Sequence, residues 1–166
     1  MSGPYRPIGP DPTPEVLFIG SLLFADAELV RPVVALVDTT DLDNAHLRPI
    51  LDVIRRLVEA GRPHEGTAVG DELQRTGQLA GEPGRLTLRL LGDAITSGAA
   101  ANTLAPRMYA AAVVADAYRR RYESAGGALT EAAATLAEDD LLPFLRDIGT
   151  ATVKHADRLA ALREVA

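Results

Sequence analysis

The stretch that decides the fold is LVEAGRPHEGTAVGDELQRTGQL, residues 57–79. Gly61 follows an apolar-periodic run, as a C-terminal helix stop does, and Pro63 prevents the chain from resuming a helix at once. Thr67 is predicted to cap the next helix, and Gly77 is predicted to end it. The stretch therefore predicts a helix end, a sharp turn, a short amphipathic helix and a second turn. It holds no nucleophile, metal cluster or phosphate loop, so it specifies how helices pack rather than a chemistry.

The composition indicates an aliphatic helical protein. A chain of 166 residues forms one domain, or one domain with an appendage, and can bury a substantial core. Hydrophobic residues make up 47% of the chain but aromatic residues only 4%, which favours packed helices over a β-sandwich. Cys is absent, so there is neither a disulfide framework nor a thiolate metal site. The net charge of −6 argues against broad nucleic-acid binding, although a protein with a negative net charge can still carry a local basic surface.

The sequence shows no sign of a membrane or export signal. No apolar run reaches the length that spans a bilayer. The N-terminal sequence MSGPYRPIGPDPTP lacks the basic and apolar regions of a signal peptide. We therefore expect a cytoplasmic bacterial protein that makes no contact with a membrane.

The basic residues argue against a nucleotide-binding site. Of the 17 Lys and Arg residues only one is a lysine, Lys154. A P-loop requires Gly-Lys-Ser/Thr so that its lysine can reach the terminal phosphates, and Lys154 lacks both the glycine before it and the hydroxyl after it. No Ser-His-Asp or Glu-x-x-His arrangement stands out either. The sequence therefore predicts a chain that is not an enzyme and takes no cofactor or metal.

The N-terminal part is predicted to be a tail followed by a helical globule. Residues 1–14 carry five prolines and two glycines, which predicts a flexible, extended tail. Thr13-Pro14-Glu15 is typical of a helix start, with Thr13 as the N-cap, and the first helix is expected to run to about residue 24. Asp26 is predicted to cap the second helix, in which Pro32 causes a kink or a late start.

Three further helices complete the globule, which is predicted to span residues 15–102. The third helix has the clearest apolar period; it is expected to begin near residues 45–46, with Pro49 in its first turn, and to end near residue 60. The fourth and fifth helices are predicted at residues 67–76 and 84–95, followed by a small-residue loop at residues 96–102. The fifth helix is expected to bury three leucines, Leu86, Leu90 and Leu91.

Residues 103–166 are predicted to form a long helical hairpin, so that the fold is all-α. Apolar residues at alternating spacings of three and four make a coiled-coil-like seam on each of its long helices. Gly126-Gly127 is predicted to interrupt the first long helix, and a short helix at 129–137 and an acidic turn at 138–140 precede the last one. The last seam comprises Leu145, Ile148, Thr152, His155, Leu159 and Leu162.

The ordered set of helix ends and turns resembles the N-terminal domain of DnaB-type hexameric replicative helicases, over roughly residues 15–165. The matching features in chain order are Gly20-Ser21-Leu22-Leu23 with Asp26, Gly61-Arg62-Pro63, Glu72-Leu73, Gly77-Gln78-Leu79, the Ser/Ala/Asn loop at 97–102, and Tyr109 with Val113-Val114. No gap separates Gly61 from Leu79. No single motif in the set is diagnostic, but the order as a whole is fairly specific.

The resemblance implies an assembly domain rather than a motor. In that family this domain forms a collar: globular heads pair with hairpins into dimers, and three dimers close a ring above an ATPase motor in a separate C-terminal domain. The collar also receives primase and, in some systems, loader proteins. For this chain the resemblance implies a homo-oligomer, a dimer or a ring of dimers, acting in DNA replication. Its implied partners are primase, a helicase loader or a helicase, with DNA contact at most indirect.

Some positions depart from the family pattern. Pro32 and Pro49 fall within family helices, the loop before the hairpin is longer than usual, and Leu42 stands where the family has an aromatic residue. The chain stops where the linker to the motor would begin. We therefore expect either a fragment of an ATP-dependent DNA helicase or a stand-alone relative that binds a helicase, and partner surfaces that need not carry over.

The hairpin is the expected place for oligomerisation or partner binding, because a two-helix projection cannot bury both of its sides alone. The seam is also expected to supply the core of the hairpin, with its outer flank left for association. The residues predicted for this surface are Met108, Ala111, Ala115, Tyr118, Tyr122, Leu145 and Ile148.

Arg119-Arg120-Arg121 is the one basic triplet, and it is a candidate contact to nucleic acid or to an acidic partner helix. At 100° per residue the three side chains spread over about 200° of the helix, so they form no single stripe. The alternative is that they are solvated charges beside the seam, paired with Glu123 and Asp116. A small DNA-binding regulator is the alternative function, and it would use Arg55, Arg56 and the triplet as phosphate contacts.

Two other groups of polar residues invite a functional interpretation. The turn before the third helix collects Asp38, Asp41, Asp43 and His46. Acidic residues before helices are common caps, and this set lacks the loop spacing of an EF-hand, so we expect caps rather than a metal site. His155 falls on the apolar seam, where it is either a core histidine or a partner of Asp157.

Overall fold

The computed structural model describes residues 11–99 and 103–164, and all regular secondary structure in this part of the chain is helical, as predicted. Residues 1–10 of the predicted tail and residues 100–102 of the predicted loop lie outside the described part. None of the described helices combines the length and hydropathy that a transmembrane span requires. The elements are α1 (Pro14–Phe24), α2 (Ala27–Val34), a 3-10 turn (Thr39–Asp41), α3 (Arg48–Glu59), α4 (Gly66–Arg75), α5 (Gly81–Thr96), α6 (Ala105–Thr135) and α7 (Glu138–Arg163).

Helix α1 lies at the centre of the globule. The Thr13 side chain caps it by accepting a hydrogen bond from the Val16 N–H, as the sequence predicted. It packs against α3, α5 and α6, and the side chains of Phe18, Ile19 and Leu22 are completely buried. At Gly20 an added Cβ would lie 2.5 Å from the Ala94 carbonyl oxygen of α5, so only glycine permits this close crossing.

The helix stops at Gly61 and Gly77 are confirmed, because both glycines adopt positive φ, 65° and 74°. The predicted cap at Thr67 is wrong: α4 begins one residue earlier, at Gly66, and Glu65 occupies the N-cap position without a side-chain capping bond. Asp26 likewise takes the N-cap position of α2 without a side-chain bond. Helix α2 begins directly after Asp26, so Pro32 does not delay the start of this helix.

Helices α3 and α5 differ from the prediction at their starts. Helix α3 begins at Arg48 rather than near residue 45, because the segment before it forms a separate turn and Pro49 lies in the first helical turn. Helix α5 begins three residues early and buries Gly84, Thr87, Leu91 and Ala94. Leu86 lies off this face and is 38% exposed, so the prediction that it is buried is wrong, whereas Leu91 is buried as expected.

Helices α6 and α7 form the predicted hairpin, but with fewer breaks. Helix α6 runs unbroken through Gly126-Gly127, so the predicted interruption and the separate helix at 129–137 are wrong. Two glycines cost only about 2 kcal/mol of helix propensity together, which a long packed helix can absorb. The acidic residues 138–140 do not form a separate turn. They form the first turn of α7, a position at which carboxylates interact favourably with the helix dipole.

The globule determines which side of α6 is buried. Helix α6 packs on α1, α2 and the 3-10 turn as well as on α7, and the buried residues of its first half are Ala105, Pro106, Ala110, Val113, Val114 and Ala117. The predicted seam is a neighbouring side of the same helix, and Met108 and Tyr122 on it are 62% and 55% exposed. The prediction that the seam forms the core of the hairpin is therefore wrong for Met108 and Tyr122. On α7 only His155, Leu159 and Leu162 are buried.

Candidate association site on the hairpin

Arginine side chains satisfy backbone carbonyls throughout the globule. Arg31 of α2 donates to the Val58 carbonyl at the end of α3, at 3.2 Å. Arg55 of α3 donates in return to the Val37 carbonyl just beyond α2, at 2.7 Å. The two helices thus stabilise each other's C-terminal ends, where carbonyls lack helical partners and a cation suits the dipole. This use explains why guanidinium groups dominate the basic residues, since only they offer several donors in one plane.

Hydrogen bonds from an arginine to backbone carbonyls also join the two helices at the base of the hairpin. Arg107, in the first turn of α6, donates from Nε to the Leu162 carbonyl at 2.9 Å and from Nη2 to the Ala161 carbonyl. These carbonyls belong to the last turn of α7. The end of α7 is therefore bonded directly to the start of α6, which fixes how the two helices align.

A buried carboxylate joins α7 to the 3-10 turn. Asp41 is completely buried, and its Oδ2 accepts from Arg158 Nη1 at 2.5 Å while its Oδ1 accepts from Arg158 Nη2 at 3.1 Å. Oδ2 also accepts from the Asp38 N–H at 2.8 Å, within a capping box. Arg158 donates a further bond to the Leu36 carbonyl at 2.9 Å. Such a buried charge is tolerated because it is paired and fully hydrogen-bonded.

His155 completes this cluster of Asp41, His155 and Arg158. Its Nε2 lies 2.9 Å from the Val114 carbonyl, and its Nδ1 lies 2.9 Å from Arg158 Nη2. Because a guanidinium only donates and a carbonyl only accepts, these partners assign a neutral ring with its proton on Nε2. The core-histidine interpretation is confirmed, and the pairing with Asp157 is not what the structure shows. The ring stacks on Tyr118 at 5.3 Å between centroids, which positions that tyrosine.

The arginine triplet is divided between two sides of α6. Arg120 donates to the Asp41 carbonyl at 2.6 Å, and Arg121 donates to Thr40 Oγ1 at 3.1 Å. The expected pairing with Glu123 and Asp116 is therefore replaced by bonds to the 3-10 turn. Arg119 points to the other side and lines a groove. The role of the triplet in nucleic-acid contact stays a prediction, and two of its three members are already engaged within the chain.

A groove runs along the junction of α6 and α7, and we call it the tyrosine groove. Its volume is about 550 Å³ and it is lined by Ala115, Tyr118, Arg119, Tyr122, Glu123, Leu159 and Arg163. The Tyr118 and Tyr122 hydroxyls are 3.0 Å apart and the rings meet edge to face. That hydrogen bond raises the pKa of Tyr118. The groove thus offers an apolar floor, two hydroxyls and two guanidinium groups.

Apolar residues continue from this groove to the far end of the hairpin. Of the predicted association residues, Met108, Tyr122 and Leu145 are exposed, while Ala111, Ala115, Tyr118 and Ile148 are half-buried. Leu136 and Leu142 at the far end are also exposed, as is Val153 in the second half of α7. Several exposed apolar residues on one hairpin make it a candidate interaction site, because such residues mark an interface where they adjoin one another.

The acidic turn is structural. Asp38 caps the 3-10 turn by accepting from the Thr40 hydroxyl and the Thr40 N–H, at 2.7 and 2.8 Å, and the hydroxyl bond holds its pKa below the ordinary value. Asp41 faces Arg158, so their arrangement is that of a cap and an ion pair. No group of three or more His, Asp or Glu residues suited to a metal ion occurs in residues 11–99 and 103–164.

Sequence reasoning missed the cluster of Asp41, His155 and Arg158. One local signal was available: Asp38 and Asp41 have the spacing of a capping box, which predicts a polar contact at this turn. A comparison with protein families and with curated proteins found no match.

Proposed function

We propose that this chain is a non-catalytic assembly domain that self-associates through the hairpin, as in the DnaB-type helicase collar that its sequence resembles. It acts in DNA replication and docks primase, a helicase loader or a helicase. The observation that carries the proposal is the exposed apolar surface of α6 and α7, including Met108, Tyr122 and Leu145. Association of two such surfaces removes apolar area from water, which is the main driving force for protein assembly.

Hydrogen bonds at the base of the hairpin support this proposal, because they join α6 and α7 to each other and to the globule. Arg107 bonds α6 to the end of α7, and Arg120 and Arg158 bond the hairpin to the 3-10 turn. A surface built on helices that are fixed in this way loses little conformational entropy on binding. The hairpin is therefore suited to act as a preformed docking element.

The alternative of a DNA-binding regulator receives less support from the arginine side chains. Arg55 donates to carbonyls at the end of α2, and Arg120 and Arg121 bond to the 3-10 turn. A phosphate contact by these residues would require breaking those bonds first. Arg56 and Arg119 remain exposed, but they lie on different elements.

Substitutions on the exposed side of α6 test the proposal. Tyr122→Asp and Ala115→Asp place a charge on the surface that is proposed to associate, and both should convert an oligomer into a monomer. Ser124→Asp is the matched control, since Ser124 is exposed on the same helix about 200° away from Tyr122. Sedimentation of the three variants and the parent chain gives their masses. Equal masses for all four chains would contradict association through this surface.

Docking of a replication partner needs its own test. The purified chain is mixed with the primase and the replicative helicase of its own source organism, and the mass of the mixture is measured by light scattering. The proposal predicts a complex with at least one of the two. It also predicts that the complex survives 0.3 M salt better than a phosphate contact would, because apolar burial rather than counterion release would hold it.

A further inference from the structure

We infer that the tyrosine groove binds a small aromatic anion, that is, a flat ring joined to a carboxylate or a phosphate. This inference goes beyond the proposed assembly role and does not rest on it, because every residue of the lining belongs to one chain. It is carried by an ordered apolar floor, by hydrogen-bond donors that outnumber acceptors, and by the volume of the groove.

The floor of the groove is apolar and ordered by the core. Leu159 is buried, and the single methyl group of Ala115 is half-buried beside it in the lining. Tyr118 is fixed by two contacts: its ring stacks on buried His155 at 5.3 Å between centroids, and its hydroxyl lies 3.0 Å from the Tyr122 hydroxyl. A floor that is already ordered loses little conformational entropy when a ligand binds.

The second tyrosine favours a flat ring as the apolar part of the ligand. The Tyr122 side chain is 55% exposed, so part of its ring is free to pack against a ligand. Aromatic rings attract one another edge to face or offset-stacked, beyond the burial of their area. A guanidinium plane stacks on aromatic faces as well, and two guanidinium groups line the same groove.

The polar groups of the groove are mainly donors without acceptors. Arg119 and Arg163 are exposed, and neither makes a side-chain hydrogen bond or ion pair within the described part of the chain. Arg163 is not needed at the end of its own helix, because Arg107 already donates to the carbonyls of that last turn. Since a guanidinium group cannot accept a hydrogen bond, a ligand that suits these side chains must supply acceptor oxygens.

The charge of the lining favours an anion. It contains two guanidinium groups and one carboxylate, that of Glu123, and no ion pair joins this carboxylate to an arginine among the residues that the structure describes. Guanidinium groups bind carboxylates and phosphates through parallel pairs of hydrogen bonds. A ligand with net negative charge therefore compensates the excess of positive charge, which a neutral aromatic compound cannot do.

The volume of the groove is suited to a ligand that combines both parts. At about 550 Å³ it lies within the range of about 300–1,000 Å³ that is typical of small-molecule sites. Inorganic phosphate would bind the arginines but leave the apolar floor in water, and a neutral ring would leave the arginines without acceptors. Because a groove between two helices covers only part of a ligand, we expect a dissociation constant of about 0.1–1 mM.

Titration of the isotope-labelled chain with matched probes, followed by its amide NMR shifts, tests the site. Adenosine monophosphate and phenylacetate each join a ring to an anionic group, and the tighter of the two identifies phosphate or carboxylate as the preferred group. Adenosine supplies the ring alone, and inorganic phosphate supplies the charge alone. Each ring-bearing anion should bind at least about tenfold more tightly than either of these two, with shifts centred on Ala115, Tyr118 and Leu159.

Variants of the lining should change the affinity in opposite directions. Arg119→Gln with Arg163→Gln should weaken the binding of adenosine monophosphate at least about tenfold, and Ala115→Leu should weaken it similarly by filling the groove. Glu123→Gln should strengthen it about two- to fivefold, because it removes the one negative charge of the lining. Arg146→Gln is the control: Arg146 is exposed on α7 outside the groove, and this variant should bind like the parent chain.

The absence of amide shifts with both ring-bearing anions up to about 10 mM would overturn the inference. So would equal affinities for adenosine monophosphate and inorganic phosphate, or parent-like binding by the double arginine variant. The mass of the chain is measured separately. A monomer that binds these anions would contradict the proposed function and support this site, whereas an oligomer that binds neither anion at any protein concentration would contradict the site alone.

Discussion

Arg158 binds the buried carboxylate of Asp41 through two hydrogen bonds, which join the last third of α7 to a turn 117 residues earlier in the chain. The hydrogen bond to Asp41 raises the pKa of the Arg158 guanidinium. Through its Nη2 the same guanidinium also orients His155, which in turn stacks on Tyr118 at the tyrosine groove. One ion pair therefore supports both the attachment of the hairpin and the shape of its groove.

Removing Arg158 should destabilise the fold strongly. Arg158→Ala leaves the Asp41 carboxylate buried without its main counter-charge, and we expect a loss of about 3 kcal/mol in the free energy of unfolding. Lys154→Ala, on the same helix and exposed, should change it by less than about 0.5 kcal/mol. Denaturant unfolding followed by circular dichroism measures both. Similar values for the two variants would show that the ion pair does not hold the hairpin.

The buried Glu72 makes stability depend on pH. Its carboxylate accepts from Arg75 Nη2 at 2.6 Å and from Arg75 Nε at 3.1 Å, and this bonding lowers the pKa of Glu72 below its ordinary value of 4.5. Because the folded-state pKa is the lower one, the stabilisation is complete above pH 4.5 and is lost as the pH falls through the folded value. The parent chain should therefore lose stability below pH 4.5 more steeply than Glu72→Gln.

The control for this pH series is Glu59→Gln, an exposed glutamate at the end of α3 without a side-chain hydrogen bond in the described residues. Its unfolding free energy should follow that of the parent chain between pH 3 and pH 6. If Glu72→Gln also ran parallel to the parent chain over this range, the ion pair with Arg75 would not contribute to stability.

Glycine-to-alanine substitutions should have opposite effects at two helical positions. At Gly126 an added Cβ meets no atom within 4 Å, so alanine should raise the unfolding free energy by about 0.5–1 kcal/mol through helix propensity. At Gly20 the Cβ would meet the Ala94 carbonyl at 2.5 Å, and alanine should lower it by about 1–3 kcal/mol. Thermal unfolding measures both, with a rise of about 2–4 °C per kcal/mol expected for Gly126→Ala. A lower melting temperature for Gly126→Ala would indicate that α6 is not a regular helix there.

Sequence reasoning succeeded where the signal is local. Gly61 and Gly77 end helices because positive φ favours glycine, and Thr13 caps α1 because its hydroxyl reaches the Val16 N–H in the first turn. It failed for the buried side of α6, where many Ala and Val residues allow more than one apolar stripe and only tertiary packing, on α1 and α7 above all, decides between them. Asp41 and Arg158 are far apart in the chain, so their pairing leaves no pattern within a single helix.

For the candidate site, too, sequence reasoning found the local features and missed those that depend on tertiary packing. The sequence identified Met108, Tyr122 and Leu145 as association residues, and the structure leaves all three exposed. It could not identify the tyrosine groove, because that groove requires a particular antiparallel alignment of α7 on α6, which brings Leu159 to the groove residues of α6. Arg107 fixes this alignment through carbonyl bonds, which no side-chain pattern encodes.

The mass of the parent chain in solution, measured by light scattering across a concentration series from about 1 to 500 μM, tests self-association most directly. A 17.6 kDa chain that assembles through its hairpin should show a dimer or a larger oligomer whose fraction rises with concentration. A mass of 17.6 kDa at every concentration would contradict the account.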